Sequence, residues 1–113
     1  MMTSYFGKRK LDMTKCVSIA LKTPDWFTGR DYKKLAPKYY MISNYKMSGD
    51  WKKYEIDYRR EILDKLDPIK VYNELGDDSI LCCYERSGVN CHRHLVALWL
   101  MGAIGYLIIK ELV

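Results

Sequence analysis

The sequence predicts a small three-layer α/β domain, with a short, mostly parallel sheet and helices on both faces. The run Ser79–Tyr84 is almost continuously apolar, which is typical of a strand buried on both faces. A helix over 91–101 and a short apolar run, Tyr106–Ile109, follow it, so residues 79–109 are predicted to form a β–α–β unit. A chain of 113 residues is the size of one ordinary domain.

Short elements are predicted in the first half of the chain. Cys16–Leu21 is a β-leaning apolar run and is interpreted as the first strand. Residues 32–34 predict one helical turn, which ends before Pro37 because the residue preceding a proline avoids helical angles. Tyr39–Ser43 is interpreted as a second strand.

The clearest helix is predicted over Asp50–Leu66, with Asp50 as its N-cap. One apolar stripe runs along it at spacings of three and four. Its members are Trp51, Tyr54, Tyr58, Ile62 and Leu66. Asp67-Pro68 ends this helix and starts a shorter one, with Gly76 just past its end.

The charge balance favours an anionic partner without naming one. The formal net charge is +5, from 19 basic and 14 acidic residues, with a pI of about 9.0. Part of that excess lies in residues 1–14, a basic segment interpreted as a weakly ordered N-terminus before a single domain over 15–113. Hydrophobic residues make up 49% of the chain and charged residues 29%, which excludes a disordered protein.

Membrane insertion and secretion are not expected. The uncharged run Leu95–Ile109 is shorter than the roughly 20 residues a spanning helix needs, and two glycines interrupt it. The first 12 residues lack the apolar core of a secretory signal. Cys82 and Cys83 are adjacent in a predicted strand and point to opposite faces, so the cysteines are interpreted as reduced thiols and not as a disulfide framework. Whether Cys83 and Cys91 can form a disulfide stays open. We therefore expect a cytoplasmic protein with no membrane partner.

The segment after the Ser79–Tyr84 strand is a predicted anion site. In an open parallel sheet, ligands bind where strands end and helices begin. Asn90 is the predicted N-cap of the next helix, whose first turn has free backbone N–H groups and a partial positive charge. A phosphorylated or anionic small molecule is the expected partner. The predicted ligand contacts here are Arg86, Ser87, Gly88 and Arg93.

The same segment predicts thiol chemistry. A helix N-terminus and the neighbouring Arg93 favour the thiolate of Cys91, and His92 beside it gives a nucleophile and a base. Cys83 and Glu85 share one strand face, so both can reach the same pocket. Glu85 then serves as a base or as the anchor that orients Arg93. Cys91, His92 and Glu85 are the predicted catalytic residues, with Cys83 among the ligand contacts.

A cationic cleft with an aromatic wall is a further hypothesis. If the first strand is parallel to the Ser79–Tyr84 strand, the loop after it opens on the same edge of the sheet. Lys22, Trp26 and Arg30 then face Arg93 across one cleft, which suits a nucleotide-like ligand. A structure with Arg30 and Arg93 on opposite sides of the molecule would contradict this hypothesis.

Less specific interpretations of these residues remain open. Free cysteines are among the most buried residue types, so Cys91 is also explained as part of the core. A Glu85–Arg93 pair is equally explained as a structural network that pins the loop to the helix. Cys83, Cys91, His92 and His94 match no common zinc spacing, so neither a metal nor another cofactor is predicted.

A non-catalytic binding module for nucleic acid or protein is the alternative function. Basic and aromatic residues alternate over residues 38–54, a pattern that can grip phosphates and stack bases. Trp51 and Tyr54 from that stretch are also required by the helix stripe, which weakens this alternative.

The segment Leu81-Cys82-Cys83-Tyr84-Glu85, followed by Cys91-His92-Arg93 at a helix start, resembles the domain-of-unknown-function 488 family. That family carries a Cys-x-Glu segment, a short loop and a Cys-His-Arg helix start. Weaker matches lie upstream, at Pro24-x-Trp26, Leu35-Ala36-Pro37, Lys46 and the helix with Tyr54 and Tyr58. The resemblance covers about residues 16–110. It implies an α/β domain with its site at Cys83, Glu85, Cys91, His92 and Arg93, and it supplies no reaction, so whether the chain is an enzyme stays open.

Overall fold

The computed structural model describes residues 1–112, which form a five-stranded parallel sheet with four α-helices. The strands are β1 (Met2–Tyr5), β2 (Cys16–Ser18), β3 (Arg30–Asp31), β4 (Ile80–Cys83) and β5 (Lys110–Glu111), in the order β3-β2-β4-β1-β5. The helices are α1 (Tyr39–Ser48), α2 (Trp51–Glu61), α3 (Pro68–Leu75) and α4 (His92–Ala103), with short 3₁₀ turns at Lys33–Leu35 and Leu63–Lys65. The predicted α/β class and parallel sheet are confirmed. Among residues 1–112, no helix combines the length and apolarity needed to cross a bilayer.

The segment predicted as a weakly ordered N-terminus contains a strand near the middle of the sheet. β1 lies between β4 and β5, with Thr3 opposite both Leu81 and Glu111. Its four residues include the buried, polar Thr3 and Ser4. Such a strand has no apolar alternation for sequence analysis to detect, so the prediction for residues 1–14 was wrong over Met2–Tyr5.

Two other short strands were misplaced. Tyr39–Ser43, predicted as a strand, lies in α1, where Tyr45 one turn further on packs against the aromatic face of α2. Tertiary packing therefore overrides the β propensity of this run. The final strand was predicted at Tyr106–Ile109 and is observed at Lys110–Glu111, after a turn in which Tyr106 and Ile108 are exposed.

Local capping signals fix the helices in the middle of the chain. The Asp50 carboxylate accepts a hydrogen bond from the backbone N–H of Lys53 at 3.1 Å, so α2 begins where the sequence predicts. Asp67 caps α3 in the same way, and Pro68 occupies its first turn. Gly76 ends α3 with a φ of 89°, a conformation that favours glycine.

The two faces of the sheet are covered differently. All four α-helices contribute side chains to one core, together with Val17 and Leu81. The second cluster contains Phe6, Phe27 and Cys82 and no side chain from the interior of a helix. Loop segments therefore cover the face where a second helical layer was expected.

The direction of the chain crossovers explains this arrangement. Crossovers between parallel strands are right-handed, so their direction across the sheet decides the face they occupy. The β3-to-β4 and β4-to-β5 connections run one way and contain every α-helix. The β1-to-β2 and β2-to-β3 connections run the other way and contain none among the described residues.

Candidate functional site: a thiol-lined aromatic cavity

A cavity of about 780 Å³ opens at the carboxyl ends of β2 and β4. Its floor includes Cys83, the last residue of β4, and its rim includes the loop that follows β2. Helices α1 and α2 supply the opposite wall. The cavity lining includes Lys22, Tyr45, Lys46, Trp51, Tyr54, Cys83, Glu85, Cys91 and His92. The predicted location of a site, where a strand ends and a helix begins, therefore coincides with the large cavity.

Cys83 and Cys91 meet at this floor. Their Sγ atoms are joined in a disulfide, and the side chains are 2% and 5% exposed. The expectation that all the cysteines are reduced therefore does not hold for this pair, whereas Cys16 and Cys82 are free and buried. The 84–90 loop folds back between the two residues and brings them together.

The start of α4 differs by one residue from the prediction. Cys91, not Asn90, is the N-cap residue, and no side chain caps the helix. The Cys91 backbone is extended, with a φ of −154°, so its sulfur lies at the helix entrance instead of within the first turn. Asn90 still lines the cavity.

Arg93 is buried with 0% exposure and points toward the sheet. Its Nε and Nη2 donate to the two carboxylate oxygens of Glu111, at 3.1 and 2.7 Å. Its Nη1 donates to the Sγ of Cys83 at 3.1 Å and to the backbone carbonyl of Glu85 at 2.6 Å. These partners lie within the protein, so Arg93 acts on the cysteine and not on the open cavity.

Glu111 is the anchor that sequence analysis missed. Its carboxylate also accepts hydrogen bonds from Thr3 Oγ1 at 2.6 Å and Ser87 Oγ at 2.9 Å. Burial raises the pKa of Glu111, but the hydrogen bonds from Arg93, Thr3 and Ser87 and the charge of Arg93 outweigh it and lower the pKa to about 2. Glu85 supplies only its backbone oxygen to Arg93. The available signal was an acidic residue two positions after the apolar run that ends at Ile109, at a position that had not been placed in a strand.

His92 is held as a neutral imidazole. Burial, partly opposed by the hydrogen bond to Ile19, lowers its pKa to about 4. The Nε2–H of His92 donates a hydrogen bond to the backbone carbonyl oxygen of Ile19 at 2.6 Å, so Nδ1 carries the free lone pair. Nδ1 lies 3.7 Å from the Sγ of Cys91, and the ring packs edge-on against Tyr58.

Aromatic rings form the opposite wall of the cavity. Trp51 and Tyr54 are stacked with centroids 4.8 Å apart and planes within 13°. Tyr45 packs edge-on against both rings, at 5.4 and 5.8 Å. Lys22 and Lys46 lie at the lining of the same cavity. The combination gives flat apolar surfaces beside two positive charges.

Two residues predicted to line the site lie elsewhere. Arg30 begins β3 and donates to the backbone carbonyls of Glu74 and Leu75, at the end of α3 and the amino edge of the sheet. Trp26 is 60% exposed and packs edge-on against Phe6, which belongs to the cluster on the loop-covered face. Of the residues predicted to face Arg93 across a cleft, Lys22 lines the cavity, whereas Arg30 and Trp26 do not.

The loop residues predicted as ligand contacts lie outside the cavity lining. Arg86 and Gly88 are exposed, and Gly88 has a φ of 85°, which this turn requires. Ser87 donates to Glu111 and so supports Arg93. The structure brings together Cys83, Glu85, Cys91 and His92 at the cavity and leaves Arg86, Ser87 and Gly88 outside its lining.

One group among residues 1–112 has the composition of a metal site. The donor atoms of Cys83, Cys91 and His92 lie within 4.8 Å of one another. Two thiolates and an imidazole suit soft cations, but the disulfide engages both sulfurs. His94, considered with them from the sequence, is not part of this group.

Comparison with known proteins assigns the chain to a family. No curated protein and no solved structure matches it. A family model described as "Active DUF488-N3 subclade" matches residues 14–103, a range that includes β4, the 84–90 loop and all of α4. The segments that carry Cys83, Cys91, His92 and Arg93 all fall within the match, and the chain belongs to the DUF488 family, in its active N3 subclade.

Proposed function

We propose that the protein is a thiol-dependent enzyme that acts on a nucleotide-like anionic small molecule bound in the aromatic cavity. One observation carries the proposal: a fully buried arginine donates a hydrogen bond to a cysteine sulfur in the lining of a large cavity. A buried cation beside a sulfur favours the thiolate, which is the nucleophilic form. The description of the family's subclade as active agrees with an enzymatic role.

The shape and lining of the cavity support a planar, charged ligand. A volume of about 780 Å³ is in the range of small-molecule sites. Trp51 and Tyr45 offer ring surfaces on which a base can stack, and stacking is tolerant of base identity. Lys22 and Lys46, with the uncapped N-terminus of α4, supply positive charge for a phosphate or carboxylate. Arg93 is not assigned to the ligand, because its donors are engaged by Glu111, Cys83 and Glu85.

The hydrogen bond from Arg93 favours Cys83 over Cys91 as the nucleophile. In the reduced protein, the Cys83 thiolate forms a bond to an electrophilic carbon of the ligand, and the bond to the leaving group breaks. The leaving group departs with the bonding electrons and takes a proton from the Cys91 thiol, which the unprotonated Nδ1 of His92 orients. Water then adds its hydroxyl to the ligand carbon, the bond from that carbon to the Cys83 sulfur breaks, and the remaining proton of the water passes to Cys91. This step regenerates the Cys83 thiolate and the Cys91 thiol.

Alkylation of the reduced protein tests this proposal. Reduced protein is treated with iodoacetamide at neutral pH, with and without mononucleotides or inorganic phosphate, and the modified cysteine is identified by mass spectrometry. We expect Cys83 to react first and a nucleotide to protect it. The control is Cys82→Ser, which removes the adjacent thiol on the opposite face of β4 and should leave the result unchanged. Modification of Cys83 only in unfolded protein would contradict the proposal.

A short single-stranded oligonucleotide tests the alternative of a nucleic-acid binding module. If the oligonucleotide protects Cys83 and mononucleotides do not, the cavity binds a single-stranded nucleic acid. Binding should then weaken steeply as salt rises, since phosphate contacts release counterions.

A further inference from the structure

We propose that Cys83 is a site of reversible oxidation by peroxides, that Cys91 is its resolving thiol, and that the disulfide between them switches the cavity off. The oxidation stands on the geometry of the two sulfurs. The switching rests on the proposed function, because it assumes that the same thiols act on the ligand.

The environment of Cys83 suits attack on a peroxide. The sulfur lies at the wall of a cavity that small molecules can enter, although the residue as a whole is 2% exposed. Nη1 of Arg93 donates to it at 3.1 Å, which favours the reactive thiolate in the reduced protein. Glu111 holds the guanidinium through two hydrogen bonds, so this donor is fixed before the peroxide arrives.

The environment of Cys91 suits the second step, in which its sulfur attacks the oxidised Cys83. It is the N-cap residue of a twelve-residue helix, and the partial positive charge of a helix N-terminus favours a thiolate there. Nδ1 of His92 lies 3.7 Å from the sulfur and has a free lone pair, so it can accept a hydrogen bond from the thiol and orient it. The donor atoms of Cys83, Cys91 and His92 lie within 4.8 Å of one another, so the two sulfurs are neighbours.

A hydroperoxide is the oxidant of Cys83 in the proposed reaction. The Cys83 thiolate attacks the terminal oxygen, the O–O bond breaks, and the alcohol leaves after gaining a proton. Cys83 is then a sulfenic acid, oxidised by two electrons. The Cys91 sulfur attacks the Cys83 sulfur, the S–O bond breaks, and the hydroxyl leaves as water with the proton that Cys91 gives up. A dithiol reductant returns both residues to thiols.

The two other cysteines provide an internal contrast. Cys16 and Cys82 are buried on the face covered by loop segments, and neither lines the cavity. Burial raises the pKa of both thiols, so both remain protonated and unreactive near neutral pH. Cys82 is adjacent to Cys83 in the same strand, which makes Cys82→Ser a matched control.

The disulfide has a direct consequence for the cavity. It removes the proposed nucleophile and the proposed proton donor in one step. The aromatic wall of Tyr45, Trp51 and Tyr54 lies on α1 and α2 and is not part of the bridge. The oxidised protein should therefore lose thiol reactivity while the ligand still reaches its stacking surface.

The test uses the full reduced chain, one equivalent of hydrogen peroxide and peptide mass spectrometry. We expect the wild type and Cys82→Ser to form the Cys83–Cys91 disulfide. Cys91→Ser should stop at a sulfenic acid on Cys83, captured by dimedone, and Cys83→Ser should leave Cys91 unoxidised. Arg93→Lys should slow the oxidation of Cys83 roughly tenfold, because the fixed donor to the sulfur is lost. Circular dichroism confirms that each variant is folded.

The outcomes separate this proposal from the proposed function. If peroxide forms the disulfide but no nucleotide protects Cys83 from iodoacetamide, the oxidation site stands and the ligand class fails. If a nucleotide protects Cys83 but peroxide yields neither the disulfide nor a dimedone adduct in Cys91→Ser, the oxidation site is overturned. Preferential oxidation of Cys16 or Cys82 in folded protein also overturns it.

Discussion

The guanidinium of Arg93 donates to the Sγ of Cys83 at 3.1 Å from a side chain with no exposure to solvent. Arginine is rarely buried without a partner, because moving a charge out of water is costly. Here Glu111 neutralises it from one side, and the Cys83 sulfur and the Glu85 carbonyl accept from the other. Arg93 therefore contributes both to the stability of the fold, through Glu111, and to the ionisation of the Cys83 thiol.

Arg93→Ala should destabilise the protein by about 3–5 kcal/mol, because it leaves the carboxylate of Glu111 without its cation in a largely buried place. Urea unfolding of reduced protein measures the change. Lys34→Ala is the control, since it removes an exposed partner of Glu74 and should cost less than about 1 kcal/mol. Equal changes in the free energy of unfolding for the two substitutions would show that the buried Arg93–Glu111 pair stabilises the fold no more than an exposed ion pair does.

Glu111 should make the fold sensitive to strong acid. Its folded pKa of about 2 lies below the ordinary value of 4.5, so the stability it contributes is present above pH 4.5 and is lost as pH falls toward 2. The contribution is on the order of 3 kcal/mol. Unfolding free energies from pH 5 to pH 2 measure it, and Glu111→Gln, which does not titrate, should flatten the curve. An unchanged slope in Glu111→Gln would assign the acid sensitivity to other carboxylates.

His92 should act in a different pH window. Its folded pKa of about 4 lies below the unfolded value of 6.5, because burial disfavours the imidazolium. The unfolded chain takes up the proton first, so stability is complete above pH 6.5 and falls as pH drops toward 4. His92→Gln can still donate to the Ile19 carbonyl and should remove most of this slope in melting curves between pH 7 and 4.5. Retention of the full slope would assign the titration to another group.

The sequence predicted the parts of the fold that have strong local signals. Asp50, Asp67-Pro68 and Gly76 mark helix ends through capping and backbone preferences, and the structure follows them closely. The apolar run before Tyr84 correctly predicted a buried parallel strand. β1 was missed because its stability comes from hydrogen bonding to strands more than 70 residues away, which no local pattern of Thr3 and Ser4 reveals.

The location of the candidate site was predicted more accurately than the partners and placement of its arginines and Trp26. Strand-end topology located the cavity at Cys83 and Cys91, and helix geometry located His92 beside them. The partner of Arg93 could not be predicted, because Glu111 lies 18 residues further on, across β1 from β4, and only the strand order brings it near. Arg30 and Trp26 were misplaced because the direction of the β2-to-β3 crossover decides which face and which edge they occupy.

Trp51 and Trp26 offer a matched pair for testing where the ligand binds. Trp51 lines the cavity and stacks on Tyr54, whereas Trp26 is exposed on the opposite face of the sheet. Trp51→Ala should weaken nucleotide binding by about 1–3 kcal/mol, the usual loss of one base–aromatic stack, as measured by calorimetry on reduced protein. Trp26→Ala should leave the affinity unchanged. Weaker binding in Trp26→Ala alone would place the binding site on the loop-covered face. A wild-type affinity in both variants would mean that the ligand does not stack on the aromatic wall.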